Sequence, residues 1–273
     1  MAEKTAIKGF KIEPKQLRIY GLVGSVVGIY LAYILNSVTG TNIFSFVGAL
    51  AALFAVVMGA NAVRRVCAYG IGTGVPSIGM LALGMGVVAS LFGLNIAEQL
   101  GVGLLGVIIA LIYSVIFGYV VGLIANRVMG FNIPIMEEGL FDLSGAGTMA
   151  IIGWSFAISG SLAYADIVKD VFNTGFLAII FICGGLAILH PFNANLGPDE
   201  KQDRTLVNGV MVGGMSTIAT GICALMTLGL AAGMVQIVVG FAIWYYFYVW
   251  FFRLAKRDAS AVVGTGLLPP SAL

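Results

Sequence analysis

Two stretches of this 273-residue chain gather most of the side chains that could do chemistry. The first, residues 190–206, reads His-Pro-Phe-Asn-Ala-Asn-Leu-Gly-Pro-Asp-Glu-Lys-Gln-Asp-Arg-Thr-Leu and holds the only histidine and an unbroken polar run from Asp199 to Arg204. Pro191 ends any helix before it, because proline cannot continue a helix and biases its predecessor away from the α-region. Gly197-Pro198 is a turn. Asp203 or Thr205 is a candidate N-cap for the helix that follows. Asp199, Glu200 and Asp203 stand where a helix dipole favours acids, by about 0.3–1 kcal/mol each. Capping accounts for the acidic half. It leaves His190, Asn193, Asn195 and Gly197, a compact patch of donors and acceptors suited to docking a soluble domain or the edge of a cofactor. His190, Asn193 and Asn195, with Asp199, Asp203 and Arg204, make the candidate partner-docking loop.

The second stretch is acidic. Residues 133–143 mix apolar positions with Glu137, Glu138 and Asp142, which suggests a short interfacial helix. On a helix Glu138 and Asp142 share a face at i, i+4. Two carboxylates one turn apart at a membrane surface could admit a hard cation, which prefers oxygen ligands. The hydroxyls of Thr148, and of Thr73 and Ser77 in a glycine-rich element, are further ion-path candidates. The plainer reading is a solvated connector or a face for a basic partner.

Other chemistry is absent. There is no GxxxxGK[ST] and no dinucleotide fingerprint in a strand–helix context. Cys67, Cys183 and Cys223 lie far apart with no CxxC, so neither a disulfide framework nor a zinc site is expected. One histidine makes neither a metal-binding pair nor a corrinoid-type Asp-x-His-x-x-Gly motif. Self-contained catalysis, and a metal bound by this chain, are therefore not expected. A net charge of +2 is too small to imply nucleic acid.

These residues must be held by hydrocarbon. The chain is 60% hydrophobic and 10% charged, with mean hydropathy +1.03, whereas an ordinary soluble domain is about 25% charged. The bilayer must be its solvent. Windows of roughly 19 residues give eight apolar segments: 19–38, 43–63, 76–94, 101–125, 144–163, 172–189, 207–227 and 231–252. Each can cross a hydrocarbon core of about 30 Å. The last two are joined only by a tight Leu-Gly-Leu link, so seven spans also fit. The expected fold class is all-α, a polytopic transmembrane helical bundle of seven or eight spans, with both termini cytoplasmic if eight. Its parts are a basic leader at 1–18, a transmembrane domain at 19–252 with cytoplasmic loops at about 126–143 and 190–206, and a cytoplasmic tail at 253–273.

Charge placement agrees with eight spans. Only Lys169 of the 14 Lys and Arg residues falls outside, as the positive-inside rule requires. The map leaves no charged residue inside an apolar segment. Any ion route would then use hydroxyls, Asn61, backbone carbonyls or another chain's carboxylate. The glycine-rich elements at 72–79, 145–153 and 213–221 are either broken helices lining a site or points of close helix packing. The aromatic run at 244–252, followed by Arg253, Lys256 and Arg257, reads as an interfacial anchor.

The loop at 190–206 and the Gly-Thr-Gly-Val-Pro-Ser-Ile-Gly element at 72–79, with the length and span number, resemble the C-subunit family of the tetrahydromethanopterin S-methyltransferases of methanogenic archaea. The resemblance covers nearly the whole chain and is most specific in the loop. It implies a multi-subunit complex that transfers a methyl group from methyl-tetrahydromethanopterin to coenzyme M, coupled to Na⁺ export in methanogenesis. It implies a cobalt corrinoid on a different subunit, no cofactor on this chain alone, and a multi-pass place in the cell membrane. This chain would be a non-catalytic part of a Na⁺-translocating methyltransferase. Its partners would be the corrinoid-bearing subunit, the other polytopic subunits and membrane lipids. No site residue is carried over from the family. The alternative is a stand-alone secondary transporter for a small solute, with glycine-broken segments supplying a midplane site. A purely structural lipid-facing scaffold is the third option.

Overall fold

A bilayer offers no water to backbone amides, so a chain of this composition has to close its hydrogen bonds within helices. The computed structural model describes residues 11–67, 74–173 and 202–261. The described residues contain no strand, and seven helices are long and apolar enough to cross a membrane. Helix α1 spans Pro14–Thr39, with Pro14 in the first turn, where its missing N–H costs nothing. It is α-helical except for a π-helical stretch at Ile19–Gly24. Single 3₁₀ turns precede α2, Phe46–Cys67, and α4, Gly106–Arg127, with α3, Gly74–Gln99, between them. Then come α5, Met136–Ser159, a short α6, Tyr164–Asn173, and the pair α7, Gln202–Thr227, and α8, Leu230–Ala261.

Helix α5 is the axis of the bundle. Nearly all of it, from Met136 to Ile158, is buried, against α2, α4 and α3, and α7 in turn packs on α8 and α2. Small residues allow this. A Cβ on Gly48 would lie 2.3 Å from the Gly153 carbonyl oxygen, so α2 and α5 touch backbone to backbone. Hydroxyls pin the other side: Ser114 Oγ of α4 donates to Ser144 O at 2.7 Å, and Ser144 Oγ donates to Ala82 O of α3 at 2.9 Å. The outer helices show hydrocarbon outward, as in the α1 stripe Ile19, Val23, Val27, Leu31, Ile34 and Val38.

The structure revises four expectations. Residues 133–143 do not form a separate interfacial helix, because Met136 already begins α5. Charged residues do lie within span-forming helices: Glu137, Glu138 and Asp142 in α5, Arg18 in α1, and Arg64 and Arg65 in α2. They are tolerated because most of them sit at helix ends and because the deepest, Asp142, is neutralised by arginine. The elements at 145–153 and 213–221 are not breaks, since α5 and α7 run through them. Their glycines are packing points: Gly153 meets Gly48, Gly213 meets Leu53, and Gly214 meets Gly240. Finally, the link left between the expected spans 144–163 and 172–189 is not a plain loop but forms α6, which buries Ile167 and Val171.

The last two spans are separate helices, turned about Gly229 at φ +91°. Thr227 Oγ1 donates to Ile158 O, so α5 and α7 end together. They also begin together, at the end that carries Arg18 and Arg65. Phe172 and Asn173 close α6, and the remainder of the expected span at 172–189 lies outside the described residues.

Candidate functional site

The salt bridges among Arg18, Arg65, Glu138, Asp142, Asp203 and Arg257 lie at the end of the bundle where α1, α5 and α7 begin and α2 ends. Met136 starts α5, so Glu138 and Asp142 project from its first two turns on one face. Asp142 is 3% exposed and sits about 9 Å along the helix from Met136 at 1.5 Å per residue. Arg18 meets both acids. Its Nε donates to Asp142 Oδ1, and its Nη2 reaches Asp142 Oδ2 at 3.0 Å and Glu138 Oε1 at 2.5 Å. Its guanidinium also lies 5.6 Å from the centre of the Phe141 ring, within cation–π range. From α2, Arg65 Nη2 donates to Glu138 Oε2 at 3.1 Å, and Nη1 lies 3.8 Å from Asp142 Oδ2. Two guanidinium groups thus face two carboxylates, and three helices are joined by one neutral cluster. A lone charge at this depth would cost several kcal/mol.

Two smaller networks flank it. Gln202, the first residue of α7, has Nε2 2.7 Å from Ile12 O and 3.2 Å from Asn61 Oδ1, and its Oε1 accepts from Ile12 N at 3.3 Å. Asn61 Oδ1 also accepts from Arg64 Nε at 3.3 Å. Beside it Arg257 of α8 pairs with Asp203 Oδ2 at 2.8 Å, while Asp203 Oδ1 accepts from the Arg204 amide at 2.9 Å. In the second network Asn126 bridges the link between α4 and α5. Its Nδ2 donates to Ile133 O at 2.8 Å and to Glu137 at 3.1 Å, and its Oδ1 accepts from Ile133 N at 2.9 Å.

The structure brings together Glu138 and Asp142, but with arginines as partners. Glu137 faces Asn126 instead. Thr148 donates to Ser144 O of its own helix at 3.2 Å. Ser77 lies in the first turn of α3. Asp203 and Thr205 both lie inside the first turns of α7, buried. Thr73, His190, Asn193, Asn195 and Asp199 lie outside the described residues. Among the described residues no three His, Cys, Asp or Glu side chains gather to hold a metal.

Sequence reading missed Arg18, Arg65 and Gln202 as members of this site, and named Asn61 only as a group for an ion route. The usable signal was the i, i+4 acid pair. Buried carboxylates demand bases, and Arg18 and Arg64-Arg65 flank the first two spans at the same membrane end.

Comparison with known proteins decides the family. The family model for the C subunit of tetrahydromethanopterin S-methyltransferase matches residues 2–272. The chain belongs to that family. It is similar to the tetrahydromethanopterin S-methyltransferase C subunit of Methanosarcina mazei, at 49% identity over 94% of this chain and 92% of that one. The protein of the same name from Methanocaldococcus jannaschii is 40% identical over 93% of each chain. That from Methanothermobacter thermautotrophicus is 36% identical over 96% of this chain and 95% of its own. Membership in the C-subunit family makes this chain a subunit of a methyltransferase complex, built as a polytopic helical membrane bundle.

Proposed function

We propose that this chain is the membrane-embedded, non-catalytic subunit of a complex that passes a methyl group from methyl-tetrahydromethanopterin to coenzyme M through a cobalt corrinoid held by another subunit, and that couples this to Na⁺ export across the cell membrane. The basic end is cytoplasmic in this reading. The observation that carries it is the polar face at that end, where Gln202, Asp203 and Arg204 start α7 beside Asn61, Arg257 and the segment before α1. These three are the final part of the polar stretch at 190–206, so the docking loop is proposed to leave from a fixed base. His190, Asn193, Asn195 and Asp199 are its proposed contacts with the corrinoid-bearing subunit. A change in that subunit on methyl transfer reaches the spans through this contact.

An ion route past Glu137, Glu138, Asp142, Thr73, Ser77 and Thr148 carries a condition. Both carboxylates of the central pair are occupied by guanidinium groups, so Arg18 and Arg65 must release them before a cation can bind there. Cross-linking from Asn193→Cys to the corrinoid-bearing subunit tests the docking reading. Yields are expected to differ between its methylated and demethylated states, and equal, background-level yields in both would overturn it. Purification in mild detergent separates this reading from a stand-alone transporter. Co-purification with a corrinoid-containing assembly supports the subunit reading, and solute uptake by the lone chain in liposomes contradicts it.

A further inference from the structure

Ahead of α1 the chain runs as a short strap, Lys11-Ile12-Glu13, fixed on two different helices. Its first attachment is to α7. The Gln202 side-chain amide pairs with the peptide groups of Ile12, donating to its carbonyl at 2.7 Å and accepting from its N–H at 3.3 Å, much as a neighbouring strand would. Asn61 accepts from the same Gln202 nitrogen and holds it in place. The Ile12 side chain packs on the core. The second attachment is Arg18, bound to Glu138 and Asp142 of α5. Between the two, Leu17 is buried and Pro14 half-buried, while Glu13, Lys15 and Gln16 are exposed, so the first turn of α1 carries the link. Helix α7 packs chiefly on α8 and α2, which makes this strap a separate tie between the start of α7 and the start of the axial helix. The π-helical stretch Ile19–Gly24 follows Arg18 at once, and such stretches are frequent at functional sites.

We propose that residues 12–18 form a latch that couples the start of α7 to the basic end of α5: displacement of Gln202 pulls on Arg18, and the two carboxylates are released only when the latch opens. The latch stands on contacts among described residues, whatever docks at this end. Hydrogen exchange on the assembled complex tests it, using Gln202→Ala and Arg18→Lys separately. Gln202→Ala removes the paired hydrogen bonds to Ile12. Amides 14–18 and also amides 140–146 of α5 are then expected to exchange about tenfold faster, the effect of one to two net hydrogen bonds. Coupling is reciprocal, so Arg18→Lys, which keeps the charge but loses the fork, is expected to accelerate amides 206–210 of α7. If Gln202→Ala frees only the strap while 140–146 keep wild-type rates, the latch is overturned. It is equally overturned if Arg18→Lys leaves 206–210 unchanged. Should Gln202→Ala fail to assemble, Arg18→Lys decides alone. The cross-linking result above does not enter this readout, so the two ideas fail separately.

Discussion

Arg18 is the side chain on which the basic end turns. Its fork engages two acids at once, a geometry that lysine cannot reproduce. Replacing Arg18 by Gln strands Asp142, which is 3% exposed, beside only the more distant Arg65. The expected loss is roughly 3 kcal/mol, at the lower end for a broken buried pair, seen as a lower thermal midpoint of the complex in detergent. Arg18→Gln with Asp142→Asn, a neutral amide pair, is expected to recover more than half of that loss. Asn126 is the second residue to probe. Asn126→Ala removes both hydrogen bonds that clasp Ile133, at about 1–2 kcal/mol, and is expected to quicken proteolysis within residues 128–132. The face shared by Glu138 and Asp142 was legible from spacing alone. Their partners were not, because Arg18 is 124 positions from Asp142, and no local pattern records a contact that distant.

Among the elements, the helix contacts rest on absent side chains. Gly48→Ala places a methyl 2.3 Å from the Gly153 carbonyl oxygen, so α2 and α5 must part. The expected cost is about 2 kcal/mol or more, read as loss of thermal stability in detergent. Gly103→Ala, which meets nothing within 4 Å, is the control and should stay within about 0.5 kcal/mol. Hydropathy windows placed the 7 spans among the described residues well, because a run of about 20 apolar residues is a strong signal. They misplaced the start of α5, where Glu137, Glu138 and Asp142 depress the average although arginines cancel two of them. They overlooked α6, whose ten residues are too short for such a window. Glycine spacing showed where something close happens, and only the packed helices distinguish contact from breakage.

The whole molecule is a bundle with two unlike ends. One gathers the ion pairs. The other holds α6, Lys169 and the turns at Gly40, Gly160 and Gly229. Membrane-impermeant thiol labelling of intact cells checks the orientation. Thr41→Cys, exposed after α1, is expected to react from outside, and Asn132→Cys, exposed between α4 and α5, only after permeabilisation. The reverse pattern would put the basic end outside and contradict the charge rule. Family membership was legible in the loop string and in the length. The tie between that string's last residues and the start of the chain was not, since Gln202 recognises the Ile12 backbone and no side chain marks the site.

The π-helical stretch at Ile19–Gly24 sets the screw phase of α1. An α-helix advances about 100° per residue, and a π turn takes in one residue more than an α turn. Winding the same 6 residues of 19–24 as ordinary α-helix would alter no side chain and leave a span still long enough for the bilayer. Yet it would rotate Arg18 by about 100° relative to the inward residues Ile29, Ala32 and Asn36. The guanidinium would swing off the axial helix while hydropathy, length and charge count stayed nearly the same. One surplus residue of winding thus acts as a phase shifter between the lipid-facing stripe of α1 and the carboxylates that its arginine has to find.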